Sequence, residues 1–322
     1  MKHLLSLEKL PASEMRAILN RVGHFKSNRA SHERPLAGQT WALIFSKSST
    51  RTRVSFEVGI RELGGNVMFL SASDIQLGRG EPIKDTARVL GRMIHGAVIR
   101  TFAQQDVEDF AQFSGIPTVN ALTDDEHPCQ ILTDIFTFEE LTSQSIEGKV
   151  VTFVGDAACN VPASWIFAAA RLGFELRLAA PRAYWPSPGI LRRAGAGEDA
   201  DWTRNPGSVT ERLQVGSGTV ELIEDVRLAA RRADLLYTDV WVSMGKEAEA
   251  AKRIAELSGY QINRELVQAA KPGALVMHCL PAYRGKEIDE DTLEAHANTI
   301  FTEAENRLHT QKAILDWMVG SA

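Results

Sequence analysis

The octet Ser46-Lys47-Ser48-Ser49-Thr50-Arg51-Thr52-Arg53 gathers three serines, two threonines and three cations in one short stretch. Those types suit an anion. Ser49, Thr50 and Thr52 offer hydroxyl donors, and the planar fork of Arg51 can take two phosphate oxygens at once. Arg100, inside an apolar run, and His127, in Glu126-His127-Pro128-Cys129-Gln130, add further donors. This first group fits a small phosphorylated anion and holds no obvious nucleophile–base pair. A second group mixes acceptors and donors. Asn160 follows Gly155-Asp156-Ala157-Ala158-Cys159, Asp239 and Ser243 lie in the stretch 239–245, and His278-Cys279-Leu280-Pro281 comes near the end. Asp239 can pair with an ammonium, while Asn160 and Ser243 can orient an α-amino acid head group. Each residue alone has a plainer role: Ser49 as a helix cap, Arg100 in a buried ion pair, His127 as an N-cap, Asp239 capping a following helix. Convergence within each group favours ligand sites.

Such convergence requires elements that bring the groups together. Before the octet, Trp41-Ala42-Leu43-Ile44-Phe45 has the pattern of a buried parallel strand. After it, Val54 to Leu63 reads as a helix closed by Gly64-Gly65. The octet therefore falls at a strand-to-helix turn, where unpaired N–H groups and the helix dipole favour phosphate. The alternation continues. A helix spans Ala12 to Phe25, with strands at 65–70, 97–102 and 116–122 and helices at 84–93 and 106–112. Between them, Ser71 to Pro82 is a long polar loop of the kind that carries function. A helix from Pro128 to Leu141 leads out of this half. After Gly148 the pattern restarts with strands at 150–154, 175–179, 219–223, 235–240 and 274–279. Residues 182–218 are irregular and Gly-rich, with a helix near 188–194. A last helix runs from Glu303 to Met318.

The fold class expected is α/β: two doubly wound parallel-sheet domains with an interdomain cleft, linked by long helices. The domains expected are 1–142 and 143–302, with 303–322 packing back onto the first. In such sheets ligands bind beyond the carboxyl ends of the strands, and both polar groups fall there.

The chain has 322 residues, 44% hydrophobic and 24% charged, with net charge −5. That is ordinary globular composition, with no basic excess to suggest nucleic acid or an anionic membrane as partner. No apolar run approaches the roughly 18 residues of a membrane span, and the first residues do not read as a signal peptide. Cysteines at 129, 159 and 279 have neither metal-ligand spacing nor an even count for disulfides. A reduced, cytoplasmic protein without metal or cofactor is expected.

Four segments together carry a resemblance. Ser49-Thr50-Arg51-Thr52-Arg53, His127-Pro128-Cys129-Gln130, Asp239-Val240-Trp241-Val242-Ser243-Met244-Gly245 and His278-Cys279-Leu280-Pro281 stand in order across nearly the whole chain. They resemble the signature set of the ornithine carbamoyltransferases. The resemblance implies a carbamoyl-phosphate domain, an ornithine domain, and a homotrimer, or a multiple of trimers, with sites at subunit boundaries. It implies arginine metabolism and no cofactor. Ser49, Thr50, Arg51 and Thr52 would hold the phosphate. Arg100, His127 and Thr52 would face the carbonyl oxygen. Gln130 and the backbone at Cys279 and Leu280 would take the carbamoyl amide, and Arg307 would close on the same ligand. Asn160, Asp239, Ser243 and Met244 would hold ornithine, with Arg100, His127 and Cys279 catalytic. Gln76 resembles a loop residue given by the neighbouring subunit. Ser46 replaces a common glutamate and Ala163 a common asparagine, and the segment 195–218 is longer than usual. Related readings are a carbamoyltransferase for putrescine, N-acetylornithine or aspartate. Outside the class stand a silent binding paralogue and a dinucleotide oxidoreductase, although Gly155-Asp156-Ala157-Ala158-Cys159 is not a G-x-G-x-x-G turn.

Overall fold

The computed structural model describes residues 1–71, 80–198, 200–204, 210–243 and 245–320. Gln76 and Met244 lie outside the described residues, as do 205–209 of the Gly-rich segment. The chain forms two compact units, one of Met1–Phe136 with Glu305–Ala322 and one of Thr137–Ala304.

The first unit holds α1 (Ala12–Ser27), β1 (Thr40–Phe45), α2 (Thr50–Glu62), β2 (Asn66–Ser71), α3 (Ile83–Leu90), β3 (Gly96–Arg100), α4 (Gln104–Ser114), β4 (Thr118–Leu122) and the start of α5 (Pro128–Thr142). Its four strands are all parallel in the order β2-β1-β3-β4. The middle strands β1 and β3 are buried almost end to end, which is why they read as continuous apolar runs. Gly96 opens β3 because Trp41 of the neighbouring strand fills its place: a Cβ there would lie 2.6 Å from the indole. Strand order reverses beside β1. The residues following β1 and β3 therefore flank the position where open α/β sheets bind ligands.

The second unit holds β5 (Val150–Val154), α6 (Asn160–Leu172), β6 (Glu175–Ala179), α7 (Pro188–Arg193), β7 (Thr210–Val215), β8 (Gly218–Ile223), α8 (Val226–Ala230), β9 (Leu235–Thr238), α9 (Ala250–Leu257), α10 (Arg264–Ala269), β10 (Leu275–His278) and α11 (Glu290–Ala295). Its strand order is β10-β9-β5-β6-β8-β7, parallel except that β7 runs antiparallel to β8. The reversal here lies between β5 and β9. Asn160, Asp239 and Cys279 stand just past the ends of β5, β9 and β10. The last helix, α12 (Ala297–Val319), begins in this unit, and its part from Glu305 belongs to the first.

The three largest departures from the sequence expectation are these. α2 starts at Thr50, not Val54, so Thr50, Arg51 and Thr52 form its first turn and Ser49 is its N-cap. α12 starts six residues before Glu303. The irregular stretch 182–218 contains the strand β7, which adds an antiparallel edge to the sheet.

Candidate functional site

In the first unit, Ser49 Oγ accepts the Thr52 N–H at 3.3 Å. The capping role expected of a lone serine is thus present, and it fixes the first turn of α2. That turn puts the Thr52 side chain inward, where it is 2% exposed. Arg51 stays half-buried and Thr50 exposed. Thr52 Oγ1 lies 3.4 Å from Arg100 Nη1 and 3.4 Å from Arg307 Nη2. Arg307 donates from Nη1 to Gln130 Oε1. Gln130 donates in turn to Asp134 Oδ1 at 2.7 Å, leaving its amide orientation fixed. Four elements, α2, β3, α5 and α12, therefore supply Thr52, Arg100, Gln130 and Arg307 to one buried cluster. His127, at the entry to α5, joins them at 5% exposure. Burial first, and then the charges of Arg307 and Arg100, hold its imidazole well below the ordinary histidine pKa of 6.5. The ring is neutral at physiological pH and keeps one N–H to donate.

Two guanidinium groups and a neutral imidazole so close together create a strongly positive, water-poor spot. The Nε–H of Arg307 is buried there with no acceptor among the described residues. An anion, or an oxygen gaining negative charge, is what such a spot stabilises. The octet itself opens on a pocket of about 790 Å³, lined by Lys47, Ser48, Ser49, Thr50, Arg53 and Phe69 among others. Lys47 was passed over in the sequence reading. Its ammonium is buried, paired with Asp124 and placed 4.3 Å from the Phe102 ring. A cation amid the hydroxyls of the octet was the available signal.

In the second unit, Asp239 accepts the Cys279 Sγ–H at 3.0 Å and the Val240 N–H at 2.7 Å. Asp239 therefore anchors its own loop rather than capping a helix. Asn160 is the first residue of α6, and Asn160, Ser243 and Leu280 are half-buried. The 155–160 and 239–243 turns are tied together by Arg253, which sequence reading missed. Its Nε–H donates to the Trp241 carbonyl at 2.9 Å, and its guanidinium pairs with Asp156. Burial raises the Asp156 carboxyl, with Arg253 opposing that rise. No local motif marks this pair, whose members are 97 positions apart.

Asp239, His278 and Cys279 place potential ligand atoms within 4.8 Å of one another. Both His278 nitrogens are engaged, however: Nδ1 accepts the Leu280 N–H at 2.9 Å and Nε2 contacts Glu287 at 3.2 Å. This arrangement serves to shape the 278–280 backbone. Of the other two thiols, the buried Cys129 is pushed up to about 12 by burial, and the half-buried Cys159 is also raised, by burial first.

Comparison with known proteins gives consistent results for both units. Residues 2–140 match a family model described as "Aspartate/ornithine carbamoyltransferase, carbamoyl-P binding domain". Residues 147–318 match "Aspartate/ornithine carbamoyltransferase, Asp/Orn binding domain". An ornithine carbamoyltransferase of Akkermansia muciniphila is 55% identical, covering 98% of this chain and 97% of the relative. One from Hydrogenovibrio crunogenus is 44% identical, covering 100% and 99%. Among solved structures, the anabolic ornithine carbamoyltransferase of Campylobacter jejuni superposes with a TM-score of 0.87 at 38% identity, covering 99% of both chains. The ornithine carbamoyltransferase of Pyrococcus furiosus also gives 0.87, at 40% identity, covering 100% and 98%.

Proposed function

The chain belongs to the aspartate/ornithine carbamoyltransferase family, and from that premise we propose how its residues divide the reaction. The chain transfers the carbamoyl group of carbamoyl phosphate to ornithine, giving citrulline and phosphate. The first unit takes carbamoyl phosphate. Ser49, Thr50, Arg51 and Thr52 bind its phosphate at the N-terminus of α2, where backbone N–H groups and the dipole add to the side chains. Arg100, His127 and Thr52 face the carbonyl oxygen, while Gln130 and Arg307 complete the same pocket. The second unit takes ornithine through Asn160, Asp239, Ser243 and Met244. The backbone at Cys279 and Leu280 accepts the carbamoyl amide.

The neutral δ-amine attacks the carbamoyl carbon, and negative charge grows on the carbonyl oxygen. Fixed donors there stabilise that charge more than they stabilise the ground state. Phosphate then leaves toward Arg51 and the helix N-terminus. Cys279 holds Asp239 in the orientation needed for an ammonium.

The observation that carries this reading is the convergence of Thr52, Arg100, His127, Gln130 and Arg307, each at least nine-tenths buried. For assembly we propose a homotrimer, or a multiple of it, in which Gln76 reaches a neighbour's carbamoyl phosphate. Large apolar side chains left exposed on the first unit support an interface there: Val54, Met68, Val89 and Met93. A role in arginine synthesis and a cytoplasmic location follow the same reading, with three cysteines all present as thiols. The test is a product assay with ornithine, putrescine, N-acetylornithine and aspartate as acceptors. Ornithine should be strongly preferred, and preference for any of the other three would overturn the assignment of the second unit.

A further inference from the structure

We propose that the N-terminal segment, residues 4–7, is a positioning strap for His127, and that Glu126 is the residue through which it acts. The proposal rests on the role given above to His127. The segment adds one more parallel bridge at the edge of the first sheet: Leu4 pairs with Val119, donating to Thr118 O at 3.1 Å and accepting from Asn120 N at 2.7 Å. The Leu5 carbonyl accepts from Gln104 at 3.0 Å and from the Asn120 side chain at 2.9 Å. Leu4, Ser6 and Leu7 are buried. The segment is therefore fixed to β4 before it reaches the site.

Two further donors of the segment end on one carboxylate. Ser6 Oγ donates to Glu126 Oε1, and the Leu7 N–H donates to Glu126 Oε2 at 2.9 Å. Glu126 is itself 3% exposed. Its main chain is held from the other side, because Thr123 N donates to its carbonyl at 2.9 Å and its N–H donates to Thr123 Oγ1 at 3.2 Å. His127 comes next, confined by the proline that follows it, with its carbonyl already accepting from Gln130 N at 3.1 Å. The imidazole thus takes its position from a turn that the Glu126 carboxylate anchors over long range. A buried carboxylate with two donors aimed at it holds that turn more firmly than a neutral group could. Placement is what His127 needs, since a group stabilising a developing charge loses effect steeply when moved by about an ångström.

The test is a double-mutant cycle between position 126 and position 127, with the Ser6→Ala variant beside it. Glu126→Gln keeps the size of the side chain but turns an amide NH2 toward one of its two donors. Glu126→Gln should lower kcat by about 10- to 100-fold, with the ornithine KM changed less than about twofold. In a His127→Asn background the same change should cost less than about threefold, because nothing remains to be positioned. Ser6→Ala should show the same pattern at smaller size, and it decides the matter if Glu126→Gln does not accumulate as folded protein. Equal losses of kcat in both backgrounds would overturn the strap and leave Glu126 a general fold residue. A His127→Asn enzyme with unchanged kcat would instead overturn the role of His127 on which the proposal stands.

Discussion

Arg51 is the half-buried cation in the first turn of α2, so it can reach a bound phosphate from a turn that the Ser49–Thr52 hydrogen bond holds in place. Arg51→Ala should leave the fold intact and remove a charge-assisted contact worth about 1.5–3 kcal/mol. Turnover at limiting carbamoyl phosphate should drop by one to two orders of magnitude, and near-normal turnover there would remove Arg51 from the site. Histidines set a second expectation. His127 is held well below 6.5 by burial, then Arg307 and Arg100. His309 is held at about 4, by burial first and then by Lys312. The unfolded chain therefore binds protons that the native chain refuses between about pH 4 and 6.5, and stability rises with pH across that window. The thermal midpoint should fall on going from pH 7 to pH 5, and less so for His309→Gln. Equal acid sensitivity in that variant would remove His309 as a cause. Activity should also rise through neutrality, because ornithine must shed a proton before attack. His127, already neutral, cannot be the source of that limb, so the limb should persist at lower rate in His127→Asn. The residue types in the four motifs were legible because hydroxyls, arginines and a histidine beside a proline declare their donors. Their partners were not. Gln130 meets Arg307 across 177 positions, and no local spacing encodes that meeting.

Most of the strands were legible as apolar runs because β1, β3, β5 and β9 are buried along nearly their whole lengths. The start of α2 was misplaced by four residues. Its first turn, Thr50-Arg51-Thr52-Arg53, shows no apolar periodicity, and the N-cap serine was the only local sign of it. β7 was missed because it is a polar edge strand. Arg212 pairs across the sheet with Glu175 at 2.9 Å and Glu221 at 3.6 Å, and Arg177 pairs with the same two carboxylates. These four residues come from three strands, β6, β7 and β8, so the ladder exists only once the sheet has formed. The tie between the 155–160 turn and the 239–243 turn has the same character. Arg253 is 8% exposed and Asp156 6%, so removing one leaves a buried charge without its partner. Arg253→Met should destabilise the enzyme by about 3–5 kcal/mol, read as a lower urea midpoint. Adding Asp156→Asn removes the stranded charge and should recover part of that loss. A double variant no more stable than Arg253→Met alone would mean that the pair contributes by packing and not by charge.

At the scale of the whole molecule, the open question is whether one chain makes a complete site. β2 lies at the edge of the first sheet, and the exposed Met68 sits on it, with Val54 exposed on the neighbouring α2. An apolar edge beside an open polar pocket suits a boundary between copies. Gln76 belongs to the segment that follows β2 and is proposed to act on the neighbour's carbamoyl phosphate. The competing arrangement folds that segment over its own site. Two inactive variants separate them. Arg51→Ala removes a proposed phosphate contact, and Gln76→Ala removes the proposed contact to the neighbouring chain; each alone should be poorly active. On the proposed trimeric assembly, denaturing and refolding the two together should give mixed trimers. If Gln76 acts across the boundary, some boundaries join an intact Arg51 on one chain to an intact Gln76 on the next, and activity returns above that of either parent. If it acts within its own chain, every site carries one lesion and mixing recovers nothing. Mixed trimers can be verified by tagging one variant and isolating the hybrid species before assay. Verified hybrids with activity no higher than the average of the parents would sink the shared site and leave each chain catalytically self-contained.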